Sequence, residues 1–155
     1  MSTITKQEVI DAQTKWGNTI VEIGKSFTNK EDYINLASQR IDELYSFQDG
    51  DVLFKPTRAA SKQFRPTKED AISYFVASNS LHQEDTGFAI TPWTNVEFQN
   101  EIIKITGDTA LAMGNYLFTD TSGQKTKVEY TFGYVKDDNN NLRIILHHSS
   151  VPFQN

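Results

Sequence analysis

The strongest constraint on the fold is a change in the spacing of apolar residues about halfway along the chain. Before Phe88, apolar side chains recur every three or four residues, which is the period of one helix face. From Phe88 onward, apolar and polar residues alternate, which is the period of a strand with one buried face. Short turns between the alternating runs favour antiparallel hairpins. We therefore expect an α+β protein, with N-terminal helices packed on a curved, mainly antiparallel sheet.

Three helices are predicted in the first half, and sequence signals mark where each begins. Thr5-Lys-Gln-Glu8 fits a capping box and precedes a long apolar stripe. A second helix is expected to open between Asn29 and Asp32 and to end at the turn Asp49-Gly50. Thr67-Lys-Glu-Asp70 resembles a cap for a short third helix. Before that helix, Asp51–Lys55 is predicted to form a short strand.

Five strand-like runs are predicted in the second half, separated by segments rich in Gly, Asp, Asn and Ser. They are Phe88–Trp93, Val96–Ile105, Thr109–Thr119, Lys125–Val135 and Leu142–Val151. The length of 155 residues predicts one domain over residues 1–155. A curved sheet closed by helices forms a cone, and concave sites of this kind usually hold ligands.

The composition excludes several classes of function. Because the chain has no cysteine, it has no disulfide framework, thiolate nucleophile, iron–sulfur cluster or cysteine-ligated zinc. A net charge of -5 argues against binding to nucleic acid or to an anionic membrane surface. No apolar run approaches the roughly 20 residues of a membrane span, and no secretory signal is recognisable. We expect a cytoplasmic protein.

The three histidines do not predict a metal site. His147 and His148 are neighbours in a predicted strand, so their side chains point to opposite faces and cannot both bind one metal in the pocket. His82 lies in a polar loop and is expected to face solvent. A site with three histidines and zinc is therefore disfavoured, and we expect no metal cofactor.

No common catalytic motif is present. The chain has neither the G-x-S-x-G of many hydrolases nor a Gly-rich phosphate loop. Glu84 and Asp85 lie in a loop, where we expect them to be solvated. Asp51 and Glu129 are the carboxylates nearest to predicted strands, and either could be a base in the pocket or a solvated residue at an edge.

The last strand divides into two alternating sets of residues. One set contains His147 and Ser149, and the other contains His148 and Ser150. Both sets are apolar at the start of the strand and polar at its end. The alternation does not decide which set lines the pocket.

Three segments of the chain together resemble the iota-class carbonic anhydrases. They are Val52-Leu-Phe-Lys-Pro-Thr-Arg58, Asp85-Thr-Gly-Phe-Ala-Ile-Thr-Pro-Trp93 and His147-His-Ser-Ser150. The order of elements resembles the NTF2-like, SnoaL-like superfamily, and the last strand resembles the closing strand of calcium/calmodulin-dependent kinase association domains. The resemblance covers about Trp16 to Pro152. It implies an NTF2-like cone and the reversible hydration of CO2 to bicarbonate.

The resemblance also implies which residues carry this reaction. In part of the family, hydroxyl groups hold bicarbonate without a metal, and the matching positions here are Thr57, Tyr74 and Ser149. His147 shares its strand face with Ser149 and is a candidate proton relay, because an unperturbed histidine titrates near pH 6.5. Ser150 is the alternative serine.

Apolar walls and the choice of cofactor follow from the same resemblance. CO2 is apolar and suits a pocket lined by side chains such as Phe54 and Trp93. Other members have been associated with zinc or manganese, but Leu146 stands where the family motif often has a third histidine. This departure argues further against a metal.

Two other functions stay open on the sequence. A SnoaL- or ketosteroid-isomerase-like enzyme for a larger hydrophobic substrate would need a pocket carboxylate with a raised pKa, either Asp51 or Glu129. A non-catalytic association module could bind a small anion through Arg143, whose guanidinium can hold a carboxylate with two hydrogen bonds. The resemblance further implies a homodimer formed through the exposed face of the sheet.

Overall fold

In the computed structural model, which describes residues 3–155, helices cover one face of a five-stranded sheet. The helices are α1 (Lys6–Thr28), α2 (Tyr33–Leu44) and α3 (Lys68–Val76), and the strands are β1 (Leu53–Lys55), β2 (Trp93–Thr106), β3 (Thr109–Asp120), β4 (Lys125–Lys136) and β5 (Leu142–Ser150). The strand order is β1-β5-β4-β3-β2. Strand β1 runs parallel to β5, and the other neighbours are antiparallel. The predicted α+β architecture is confirmed.

The helices begin where their sequence signals predict. Thr5 and Glu8 form a capping box at α1, Asp32 caps α2, and Thr67 with Asp70 forms a second capping box at α3. The predicted end of α2 at Gly50 was wrong, since the helix stops at Leu44. The next residue, Tyr45, is extended and bridges to β5, which takes the backbone out of the helix.

The predicted strand Phe88–Trp93 was also wrong. Residues Phe88–Ile90 form a single 3-10 turn, and β2 begins only at Trp93. Gly87 supplies the positive φ of 89° that turns the chain into this segment. Pro92 has no N–H to donate to a strand ladder. The turn buries Phe88 against the inner face of the sheet instead of pairing it.

The core lies between α1 and the inner face of the sheet. Trp16 on α1 is buried at its centre, and its ring contacts aromatic side chains on α3 and on four strands: Phe75, Phe98, Tyr116, Phe118, Phe132 and His147. Aromatic pairs of this kind add about 0.5–1.5 kcal/mol each beyond the area they bury. None of the helices in residues 3–155 combines the length and apolarity that crossing a membrane requires.

Candidate active site

A small cavity lies between the helices and the inner face of the sheet. Its walls are mainly aromatic, and its polar groups are hydroxyls and one imidazole. The lining residues are Trp16, Phe54, Pro56, Thr57, Tyr74, Phe75, Phe88, Tyr116, His147 and Ser149. Its volume of about 10 Å³ is far below the roughly 300–1,000 Å³ of pockets for drug-sized ligands, so only a molecule of a few atoms suits the cavity.

Strand β5 places His147 and Ser149 inside the cavity, with 2% and 1% of their surfaces exposed. The alternative pair points the other way, because His148 is exposed and the Ser150 hydroxyl donates to Glu129 Oε1 at 2.9 Å. A register shift between β4 and β5, at Gly133 and Tyr134 of β4, precedes His147 and Ser149 along β5. The shift breaks the alternation, so Ile144 is buried on the same side as His147 although the two residues are three positions apart.

Thr57 and Tyr74 come to the cavity from separate elements. Strand β1 ends just before Pro56, which brings Thr57 to the wall, and α3 carries Tyr74. The Arg58 backbone N–H donates to Tyr74 Oη at 3.3 Å, and Thr57 and Tyr74 both line the cavity. Burial raises the pKa of Tyr74 to about 12, so the phenol stays neutral at physiological pH.

The two aromatic residues proposed from the sequence occupy different positions. Phe54 lines the cavity and stacks on the His147 ring, with centroids 5.0 Å apart. Trp93 lies outside the lining, where its Nε1–H donates to the Phe88 carbonyl at 2.9 Å and its ring packs 5.5 Å from the Phe88 ring. Trp93 therefore supports a wall of the cavity rather than forming one.

His147 is the centre of a buried network that the sequence did not predict. Tyr45 Oη lies 2.8 Å from its Nδ1, while Tyr116 Oη and Ser149 Oγ each lie 3.1 Å from its Nε2. Tyr116 and Ser149 also hydrogen-bond to each other. Burial lowers the pKa of His147 to about 3, so the ring is neutral at physiological pH and accepts a proton far less readily than an unperturbed histidine would.

The rival functions lack their required groups. No carboxylate of the described residues lines the cavity; Asp51 is exposed, and Glu129 lies on the outer face of the sheet. Arg143 is occupied by protein partners, since it donates to Asp137 Oδ2 at 2.8 Å and to backbone carbonyls at the end of α2. These contacts leave the cavity without the acid of an isomerase and without the arginine of an anion-binding module.

The structure provides no evident metal-binding cluster. Over residues 3–155, no group of three or more His, Asp or Glu side chains is arranged to hold an ion. His82, expected in solvent, instead lies 2.7 Å from Asp70 Oδ1 and is largely buried. This contact connects the loop before β2 to the start of α3.

Comparison with known proteins agrees with this geometry. The family model described as metal-independent carbonic anhydrase matches residues 7–151. A metal-independent carbonic anhydrase from Nostoc sp. (strain PCC 7120) is 45% identical over 154 residues, covering 97% of this chain and 75% of the relative. The iota-carbonic anhydrase from a cyanobacterium, solved in complex with bicarbonate, superposes with a TM-score of 0.96 at 43% identity, covering 99% of this chain and 95% of that one.

More distant structures share the fold alone. A protein described as a calcium/calmodulin-dependent protein kinase II association domain from Xanthomonas campestris has a TM-score of 0.60 at 22% identity, covering 100% of this chain and 97% of its own. A protein of the NTF2-like family from Streptomyces avermitilis has a TM-score of 0.57 at 12% identity, with 96% of both chains covered. The NTF2-like fold expected from the order of elements is thereby confirmed. By family model, sequence identity and structure together, the chain belongs to the metal-independent, iota-class carbonic anhydrases.

Proposed function

We propose that the cavity hydrates CO2 to bicarbonate, reversibly and without a metal, by means of four hydroxyl side chains. The observation that carries the proposal is the convergence of Thr57, Tyr74, Tyr116 and Ser149 in a cavity whose other walls are almost entirely apolar. Apolar walls suit CO2, and hydroxyl groups suit bicarbonate, because each can both donate and accept a hydrogen bond. The bicarbonate bound by the cyanobacterial relative supports the same choice of ligand.

Positioning is the main contribution of the cavity. The aromatic walls hold CO2 where the hydroxyls can orient a water oxygen toward its carbon, which saves the entropy of bringing the two together. As the new C–O bond forms, negative charge develops on the oxygens that came from CO2. Hydroxyl donors already aimed at those oxygens stabilise this charge without reorganising.

The proton of the attacking water needs an acceptor inside the cavity. Tyr74 and Tyr116 remain protonated, because burial raises the pKa of both phenols, and neutral His147 already contacts protein groups through both ring nitrogens. We propose that the Ser149 hydroxyl accepts this proton while passing its own hydrogen to a CO2 oxygen. The balance is H2O plus CO2 giving carbonic acid, which ionises to bicarbonate as it reaches solvent.

Removal of metal ions is expected to leave the activity intact. Protein treated with a chelator and verified as metal-free by elemental analysis should hydrate CO2 within about twofold of the untreated rate, as measured by stopped flow with a pH indicator. A zinc-dependent carbonic anhydrase treated in parallel is the control and should lose its activity. Loss of the rate, with recovery on adding zinc or manganese but not magnesium, would contradict the proposal.

We also propose that the protein works in the cytoplasm as a homodimer paired through the outer face of the sheet. This face carries large apolar side chains in solvent, with Leu53 at 68%, Ile102 at 60% and Met113 at 53% exposure. Sedimentation equilibrium should give about twice the chain mass of 17.6 kDa. Met113→Glu should shift the protein toward the monomer, because the charge would be buried at the interface. A wild-type monomer at micromolar concentration would contradict this arrangement.

A further inference from the structure

The geometry points to Tyr45 as a positioning residue that, together with Trp16, holds the ring hydrogen of His147 on Nε2. In this arrangement one hydroxyl hydrogen of the Tyr116–Ser149 pair is left free to bind a substrate oxygen. The inference rests on the proposed function for its catalytic consequence, but the position of the hydrogen can be measured independently of any reaction.

The chain of contacts begins at Trp16. Its Nε1–H can only donate, and it donates to Tyr45 Oη at 3.0 Å. Tyr45 Oη lies 2.8 Å from His147 Nδ1. All three side chains are buried, with at most 2% of their surfaces exposed, so solvent cannot complete any hydrogen bond among them.

This burial selects one tautomer of His147. If Nδ1 carried the hydrogen and donated to Tyr45, the phenol hydrogen of Tyr45 would have no acceptor among the described residues. A buried donor without a partner costs about 1–3 kcal/mol. The phenol of Tyr45 must therefore donate to Nδ1, which places the imidazole hydrogen on Nε2, facing Tyr116 and Ser149.

Counting hydrogens shows why the tautomer matters to the cavity. His147 Nε2, Tyr116 Oη and Ser149 Oγ contact one another in a triangle. With the hydrogen on Nε2, the imidazole N–H donates to the hydroxyl pair. The contact between the two hydroxyls uses one of their two hydrogens, and the other hydroxyl hydrogen is free to point toward a substrate. With the hydrogen on Nδ1, Nε2 would accept one hydroxyl hydrogen and the mutual contact would use the other. The triangle would then offer no donor to a substrate oxygen.

The surrounding packing keeps the imidazole in this orientation. The ring lies between Phe54 on β1 and Phe132 on β4, with centroid distances of 5.0 Å and 4.1 Å and interplanar angles near 20°. Both phenylalanines are register partners of His147 in the sheet. The position of Tyr45 is also fixed, because its backbone forms a bridge to Ile144 of β5 directly after the end of α2.

The test combines the substitution Tyr45→Phe with two readouts. Nitrogen-15 NMR of the imidazole distinguishes a hydrogen on Nε2 from one on Nδ1, and stopped flow gives kcat and KM for CO2 hydration. We expect the wild type to carry the hydrogen on Nε2. Tyr45→Phe should lose this preference and lower kcat at least tenfold, with KM within about twofold because the cavity walls are unchanged.

Tyr134→Phe is the matched control. It removes the same phenol oxygen from a tyrosine that is equally buried, and that oxygen has no hydrogen-bond partner among the described residues. This variant should keep the wild-type tautomer and rate. A purely structural role for Tyr45 would lower stability without moving the hydrogen on His147 or separating kcat from KM.

Two results would overturn the inference. One is a wild-type spectrum with the hydrogen on Nδ1, which needs no variant and so remains decisive if Tyr45→Phe fails to fold. The other is a Tyr45→Phe protein that keeps both the Nε2 tautomer and the wild-type kcat. If the wild type has the Nε2 hydrogen but does not hydrate CO2, the positioning by Tyr45 stands and only the assigned reaction fails.

Discussion

Replacing Ser149 by alanine is expected to lower kcat/KM for CO2 hydration by about 100- to 1,000-fold, the usual effect of removing one donor aimed at developing charge. Ser149 is buried in the cavity lining and hydrogen-bonds with Tyr116 and His147. In the proposed reaction its hydroxyl both receives the proton of the attacking water and supplies one to the CO2 oxygen. Alanine can do neither.

Ser150 provides the control for this experiment, because it is the next residue and differs only in the face it occupies. Its hydroxyl donates to Glu129 on the outer side of the sheet. Ser150→Ala should therefore keep the rate within about twofold of wild type. Both variants would be measured by stopped flow, with circular dichroism to verify folding. Equal rates for Ser149→Ala and wild type would contradict the role of Ser149, and a large loss in Ser150→Ala alone would assign the site to the other face.

The sequence predicts most of the architecture, because the relevant signals are local. Capping boxes at Thr5 and Thr67 mark helix starts through side-chain contacts only three residues away. Alternation identifies β2 to β5 because the strands are long and have one buried face. The errors are found where a tertiary contact overrides a local pattern. The bridge of Tyr45 to β5 ends α2 early, and Phe88–Ile90 is too short for its period to separate a strand from a turn.

Only those residues of the candidate site that match positions of the resembled family could be predicted from the sequence. The resemblance implies Thr57, Tyr74 and Ser149 at matching positions, and the structure brings all three to one cavity. Neither Tyr116 nor Tyr45 is predicted from the sequence as a site residue. Their importance depends on distances to His147 across strands and from the end of a helix, and no sequence spacing encodes these distances.

Alternation alone could not have assigned the residues of β5. The register shift at Gly133 inserts one extra residue in β5, so counting by twos from Ile144 gives the wrong face for His147. A bulge of this kind has no strong sequence signal apart from the glycine opposite it. The sequence leaves both faces open because both alternating sets end in polar residues, and the structure supplies the missing register.

Replacing Arg65 by methionine is expected to reduce the free energy of unfolding by about 3–5 kcal/mol, because it would leave buried carboxylate charge without its partner. The sequence suggested solvated positions for Glu84 and Asp85, but Arg65 is fully buried and binds Asp85 with two hydrogen bonds of 2.8 and 2.9 Å. Ser73 on α3 donates to the same carboxylate. The Arg65–Asp85 ion pair thus connects the loop that follows Thr57 to α3, the helix that carries Tyr74.

Urea unfolding followed by circular dichroism measures the loss, and Arg40→Gln is the control. Arg40 is partly exposed and pairs with Glu22 and Glu43 on the surface, where such pairs contribute about 0–1 kcal/mol. The double variant Arg65→Met with Asp85→Leu should be more stable than Arg65→Met alone, because it removes the stranded charge together with its partner. If Arg65→Met costs no more than Arg40→Gln, the ion pair contributes little to stability. If the double variant gives no recovery, the cost arises from the lost packing of Arg65 rather than from the charge left on Asp85.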